Sequence, residues 1–208
     1  MKPISYLITE GKLTKTNFQT ESEKVLGIIR IAIEVGISLI QIREKNLSAR
    51  LLLDLAKKVV EIRAKSPTKI LLNDRVDIAV LAGADGVHLP STSIPTEVIR
   101  RHFPQPFLIG VSCHDYVECE SAMKAGADFV TFGPVFSTPG KGFPKGLQVL
   151  GDIAEKLKPF PVLGLGGITQ QNYQDVLKVC RGFAAIRFLN DEENLKKYAE
   201  SLHDNCRT

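Results

Sequence analysis

Apolar residues fall in short, nearly continuous runs, separated by longer stretches with helical spacing. The runs cover residues 4–9, 39–43, 69–72, 86–89, 108–112, 129–132, 162–165 and 183–186. Near-continuous apolar runs of this length suit strands that are covered on both faces. Between them, residues 48–65 carry Leu51, Leu52, Leu55, Val59 and Ile62 on one helical face, with Ser48 placed as N-cap. Further helical windows cover 21–35, 75–82, 95–103, 115–124, 146–157, 170–179 and 192–202.

A regular strand–helix alternation predicts a parallel sheet. Eight such units predict a closed (β/α)8 TIM barrel, one domain over residues 1–208. A weak repeat agrees: Val35-Gly36-Ile37-Ser38, Ala82-Gly83-Ala84-Asp85 and Ala125-Gly126-Ala127-Asp128 each read as helix end, glycine, strand. The glycine supplies the left-handed residue that turns the chain into the next strand. An open doubly wound sheet would carry G-x-G-x-x-G after the first strand, where the chain has Glu10-Gly11-Lys12-Leu13-Thr14.

Composition narrows the function classes. The net charge is +4, too small an excess to point to nucleic acid, and there is no Trp for stacking on bases. No apolar run reaches the roughly 18 residues of a membrane span. Cys113, Cys119, Cys180 and Cys206 form no C-x-x-C pair, which reads as free thiols in a reducing compartment. With no secretory signal pattern at the N-terminus, the expected location is cytoplasmic. Oligomeric state is not legible in the sequence.

In a (β/α)8 barrel the active site lies at the C-terminal ends of the strands, so residues there are the candidates. Gln41, Arg43 and Lys45 alternate at the end of strand two and are expected to point together into the mouth. Cations there need anions: a ligand, or internal carboxylates such as Glu44 or Asp74. Gly164-Leu165-Gly166-Gly167-Ile168-Thr169 ends strand seven and opens a helix, either a phosphate cradle or a tight turn needing glycine for geometry alone. The segment after strand six, with Thr138, Gly140 and Lys141, has the form of an anion-binding loop. Asp74 after strand three reads equally as a Mg²⁺ ligand and as a helix N-cap. His88 and His114 read as packing residues, Cys113 as an inert thiol, and no zinc spacing occurs.

These segments together resemble a family. Gln41-Ile-Arg43-Glu-Lys45, Leu72-Asn73-Asp74-Arg75, Gly83-Ala-Asp85-Gly-Val-His88, Ile109-Gly-Val-Ser112, Phe132-Gly-Pro-Val-Phe136-Ser-Thr138-Pro-Gly-Lys141 and Gly164-Leu-Gly-Gly-Ile-Thr169 are similar to thiamine phosphate synthase and its thiazole tautomerase relatives, in order along nearly the whole chain. The resemblance implies a (β/α)8 transferase of thiamine biosynthesis. In that reaction an aminomethylpyrimidine diphosphate loses pyrophosphate, and a thiazole phosphate nitrogen attacks the resulting cation. It implies that Gln41, Arg43, Lys45, Asn73 and Lys141 hold pyrophosphate and that Asp74 holds Mg²⁺. Ser112 would contact the pyrimidine, and Thr138 with Gly166 and Gly167 the thiazole phosphate. The implied partners are these small phosphorylated substrates, without nucleic acid or membrane.

Three positions depart from the synthase pattern: Ser93 where a second metal-binding Asp is expected, Gly140 where a Thr is expected, and Arg187 where a small Ser is expected. Arg187 either grips phosphate or plugs the pocket, for instance through an ion pair with Asp191. The Leu89-Pro-Ser-Thr-Ser93 stretch is closer to the tautomerase branch, whose catalytic His would fall at Pro134. Two rivals therefore stand beside the synthase reading. One is a tautomerase-like isomerase using His88 or His114 as base, and the other is a non-catalytic phosphate-binding barrel.

Overall fold

The computed structural model describes residues 3–204. Eight parallel strands close in sequence order, β1 (Ile4–Ile8), β2 (Leu39–Ile42), β3 (Lys69–Asn73), β4 (Gly86–Leu89), β5 (Leu108–Cys113), β6 (Phe129–Phe132), β7 (Val162–Leu165) and β8 (Gly182–Ala185), with β8 pairing β1. A helix follows each: α1 (Phe18–Glu34), α2 (Ala49–Arg63), α3 (Val76–Ala82), α4 (Thr96–His102), α5 (Tyr116–Lys124), α6 (Gly146–Lys156), α7 (Tyr173–Val179) and α8 (Glu192–Asp204). The expected barrel is the observed one.

Two apolar cores follow from strand alternation. Outward strand residues such as Ile40, Leu72, Val87, Ile109 and Val130 pack under the helices. Inward residues Tyr6, Leu39, Leu71, Phe129, Leu163 and Ala184 fill the barrel. Gly110 faces this interior, where an added Cβ would lie 2.3 Å from the Phe129 ring and 2.7 Å from His88 Nδ1. The missing side chain makes room for those two rings.

The repeat has a second purpose beyond its glycines. Gly36, Gly83 and Gly126 do take left-handed φ of 81°, 70° and 91°. Two residues later, Ser38 accepts the Ser5 amide, Asp85 the Ile70 amide and Asp128 the Ile109 amide. Each side chain thus brackets its strand to the preceding strand at the end opposite the mouth. Arg63 and Lys69 pair with Asp85, and Arg100 with Asp128. Ser48 caps α2 as expected, accepting from Leu51 N.

Candidate active site

The mouth is organised by a carboxylate that the sequence did not single out for it. Glu44, only 3% exposed, accepts the amides of Gly11 (3.2 Å) and Leu13 (2.9 Å) and so ties the β1–α1 loop over the end of β2. Glu44 therefore does not neutralise Arg43 or Lys45, contrary to the pairing considered from sequence. Strand β2 also stops at Ile42. Alternation covers Gln41 and reaches Arg43, whose backbone donates to Thr9 Oγ1. Lys45 lies in the following turn, exposed, so its expected register with the other two does not hold.

Gln41, Asn73 and Ser112 share the inward parity of Leu39, Leu71 and Leu108 and stand one step above them, or two for Ser112. Gln41 is 1% exposed and donates from Nε2 to Tyr6 Oη at 2.8 Å, leaving one amide N–H and its carbonyl oxygen. It lies below the rim where Arg43 and Asn73 stand. His88 Nε2 is 2.9 Å from Ser112 Oγ and 3.4 Å from Thr131 Oγ1. Burial pushes its pKa down to about 3, so the ring is neutral. His114 is exposed and tied to Glu118 through its backbone N–H and Nδ1, at the start of α5. Cys113 is buried, and its contact with Cys119 together with burial raises its thiol well above the ordinary range. Cys113, Cys119 and Cys180 are free thiols, and Cys206 lies outside the described residues.

Asp74 does not cap α3. That helix begins at Val76 with Arg75 in the cap position and no side-chain cap bond. Asp74 is instead in the left-handed region at φ 64°, its amide donating to His88 O at 2.9 Å, and its Oδ1 accepts from Ser93 Oγ. A backbone bond that extends the β3–β4 pairing thus holds this exposed carboxylate at the rim, and the residue beside it is a hydroxyl. Among the described residues no three His, Cys, Asp or Glu side chains converge as a ready metal cage.

A cavity of about 480 Å³ opens between the ends of β6, β7 and β8, lined among others by Thr138, Gly166, Gly167, Thr169, Arg187 and Asn194. The segment after β6 is stitched to β7: Val135 N donates to Leu165 O and Phe136 N to Gly166 O. This close approach requires both glycines. A Cβ on Gly166 would sit 2.7 Å from Pro134 Cα, and one on Gly167 2.7 Å from Ser137 O, with φ of 102° and 65°. Packing geometry alone therefore explains the glycines, as the tight-turn reading held. Helix α7 starts only at Tyr173, so its N-terminus does not open at the glycines as expected. Asn172 fills the gap, accepting from Thr169 N and donating to Gly167 O. The amides of Gly167 and Ile168 donate to no group among the described residues.

Thr138 Oγ1 donates to Phe136 O, and Lys141 N closes a turn on Thr138 O, leaving Lys141 exposed at the loop tip. Arg187 lines the cavity and is exposed. The ion pair with Asp191 does not form. Asp191 accepts from Asn194 N at the start of α8 instead.

Fold and mouth together define a (β/α)8 barrel with cations, amides and hydroxyls at the C-terminal rim, suited to small phosphorylated molecules. Residues 5–189 match the family described as thiamine monophosphate synthase. The thiamine-phosphate synthase of Clostridium novyi (strain NT) is 41% identical over 201 residues, 95% of each chain. A putative thiamine-phosphate synthase of Geobacter sulfurreducens is 37% identical over 95% of this chain and 91% of its own. Among solved structures, thiamine phosphate pyrophosphorylase from Pyrococcus furiosus superposes with a TM-score of 0.78 at 32% identity, covering 95% of this chain and 96% of that one. The chain belongs to the thiamine monophosphate synthase family. Among the described residues no helix is long and apolar enough to cross a membrane.

Proposed function

We propose that this chain is a transferase of thiamine biosynthesis, joining an aminomethylpyrimidine diphosphate to a thiazole phosphate with release of pyrophosphate. The observation that carries it is one inward-facing set: Gln41, Asn73 and Ser112 face inward from β2, β3 and β5, with Gln41 a step below and Arg43 level with Asn73 at the rim. This places neutral hydrogen-bonding groups inside and a cation at the rim, the order needed by a neutral ring whose diphosphate points outward. The names of the relatives support the same reaction.

In this reading Arg43, Lys45, Asn73 and Lys141 bind the diphosphate. Their fixed charges and N–H groups stabilise the negative charge that grows on the leaving group as the C–O bond breaks. Gln41 has one N–H and one oxygen left after its bond to Tyr6. That donor–acceptor edge complements the amino group and adjacent ring nitrogen of an aminopyrimidine better than it does an anion, so its role moves from pyrophosphate to ring. Ser112 contacts the same ring. Thr138, Gly166, Gly167 and Arg187 hold the thiazole phosphate across the cavity and keep its nitrogen against the methylene carbon that loses the diphosphate. Mg²⁺ fits at Asp74, since Mg²⁺ is commonly held by one or two carboxylates plus substrate phosphates. When bound it would supply charge neutralisation to the diphosphate.

His88, buried and neutral, and His114, held by Glu118, give the isomerase reading no poised base at the mouth. The test is pyrophosphate release with both substrates and Mg²⁺ present. Release that requires both, and that falls strongly in Arg43→Ala, supports the transferase; unchanged diphosphate affinity in Arg43→Ala by calorimetry would overturn the rim assignment.

A further inference from the structure

His88 is buried on every side, yet only one of its ring nitrogens has a partner. Nε2 meets Ser112 Oγ at 2.9 Å and Thr131 Oγ1 at 3.4 Å. Nδ1 is buried with no hydrogen-bonding partner. Its surroundings are apolar. It faces the bare Cα of Gly110, and the imidazole packs against Tyr6 and Phe129 at centroid distances of 5.6 and 5.9 Å. A neutral imidazole carries one proton, on either nitrogen. A proton on Nδ1 would leave a buried N–H without an acceptor, a rarer condition in folded proteins than an unfilled lone pair.

We infer that His88 is fixed as the Nε2–H tautomer and acts as a positioning residue that makes Ser112 a hydrogen-bond donor toward the mouth. Ser112 Oγ, accepting from Nε2–H, cannot aim its own proton at the ring. That proton is left for a ligand acceptor, and Ser112 is half-buried where the barrel opens. The opposite tautomer would consume the Ser112 proton and present only lone pairs. The inference rests on the proposed reading for what Ser112 meets: an acceptor on the pyrimidine or its leaving group, which a donor attracts and a lone pair repels.

The tautomer is read directly by ¹⁵N NMR of the ring nitrogens in the full chain at neutral pH. The expected spectrum has a protonated Nε2 and a bare Nδ1, unchanged on mild acidification. A protonated Nδ1, or a ring that titrates like a free imidazole, overturns the inference whatever the enzyme does. The functional arm compares His88→Gln, whose amide can donate from the Nε2 position, with His88→Leu, which cannot. Losing one such hydrogen bond is expected to lower pyrophosphate release roughly tenfold in His88→Leu and Ser112→Ala alike, no further in the double variant, and less in His88→Gln. Additive losses, or equal damage from Gln and Leu, overturn the positioning role. A wild-type chain with the expected tautomer but no pyrophosphate release refutes the transferase reading and the ligand assigned to Ser112, while the tautomer stands.

Discussion

Glu44 Oε2 accepts the Leu13 amide at 2.9 Å, across 31 residues of sequence, with both groups buried. Its other oxygen takes the Gly11 amide, so a single carboxylate holds the β1–α1 loop over the end of β2. Glu44→Ala leaves two loop amides without this acceptor, and Leu13 N has nowhere else to go. The expected cost is about 1–3 kcal/mol for the buried donor. A urea denaturation midpoint unchanged from wild type would contradict the anchoring role.

His88 gives stability a pH dependence. Its folded pKa is pushed down to about 3 by burial, against an unfolded value near 6.5. Above the unfolded value both states are neutral and the full stability is present. Between 6.5 and 3 the unfolded chain takes a proton that the native ring refuses, so stability falls as pH falls. The slope from this group is about 1.4 kcal/mol per pH unit. His88→Gln should lose that component of the slope, measured as denaturation midpoints at neutral and mildly acidic pH.

Ser93 beside Asp74 sets a weak metal site at the rim. Asp74 offers one carboxylate, already accepting from the Ser93 hydroxyl. Ser93→Asp replaces that donor with a second carboxylate, within the one or two that Mg²⁺ commonly takes alongside phosphate oxygens. Calorimetric titration should show tighter Mg²⁺ binding in the variant when pyrophosphate is present. Tight binding in the native chain, or no gain in the variant, counts against a metal role for this pair.

Arg187 is expected to grip phosphate. It lines the cavity beside the free Gly167 and Ile168 amides, and its sequence-expected partner Asp191 is engaged elsewhere. Arg187→Ser should bind thiazole phosphate more weakly, with the larger loss at low salt, where exposed charges are least screened. Tighter binding in the variant would mean that the side chain plugs the pocket.

The strand and helix pattern was legible because it depends on local periodicity. Runs such as 129–132 and 162–165 coincide with β6 and β7, since a strand buried on both faces must be apolar throughout. Helix starts were less legible. The window at 170–179 begins three residues before α7, because Asn172 spends its side chain on the preceding loop rather than on a helical turn. Lys45 failed for a related reason: alternation holds only while the chain is a strand, and β2 ends at Ile42.

The sequence by itself determined the barrel, its eight units, the glycines that end the helices and the set of rim residues, all of them consequences of spacing along the chain. Tertiary structure alone decided which polar groups meet. Glu44 was one of two carboxylates that the sequence offered as alternatives to a ligand for the rim cations, and it serves residues 31 and 33 positions away. Asp74 read equally as a metal ligand and as a cap; it does not cap α3, and its carboxylate meets Ser93. Asp85 and Asp128 looked like strand-entry residues and bracket the preceding strands. A side chain's partner is set by which strands closure brings together, and the barrel places strands side by side that are tens of residues apart in the chain.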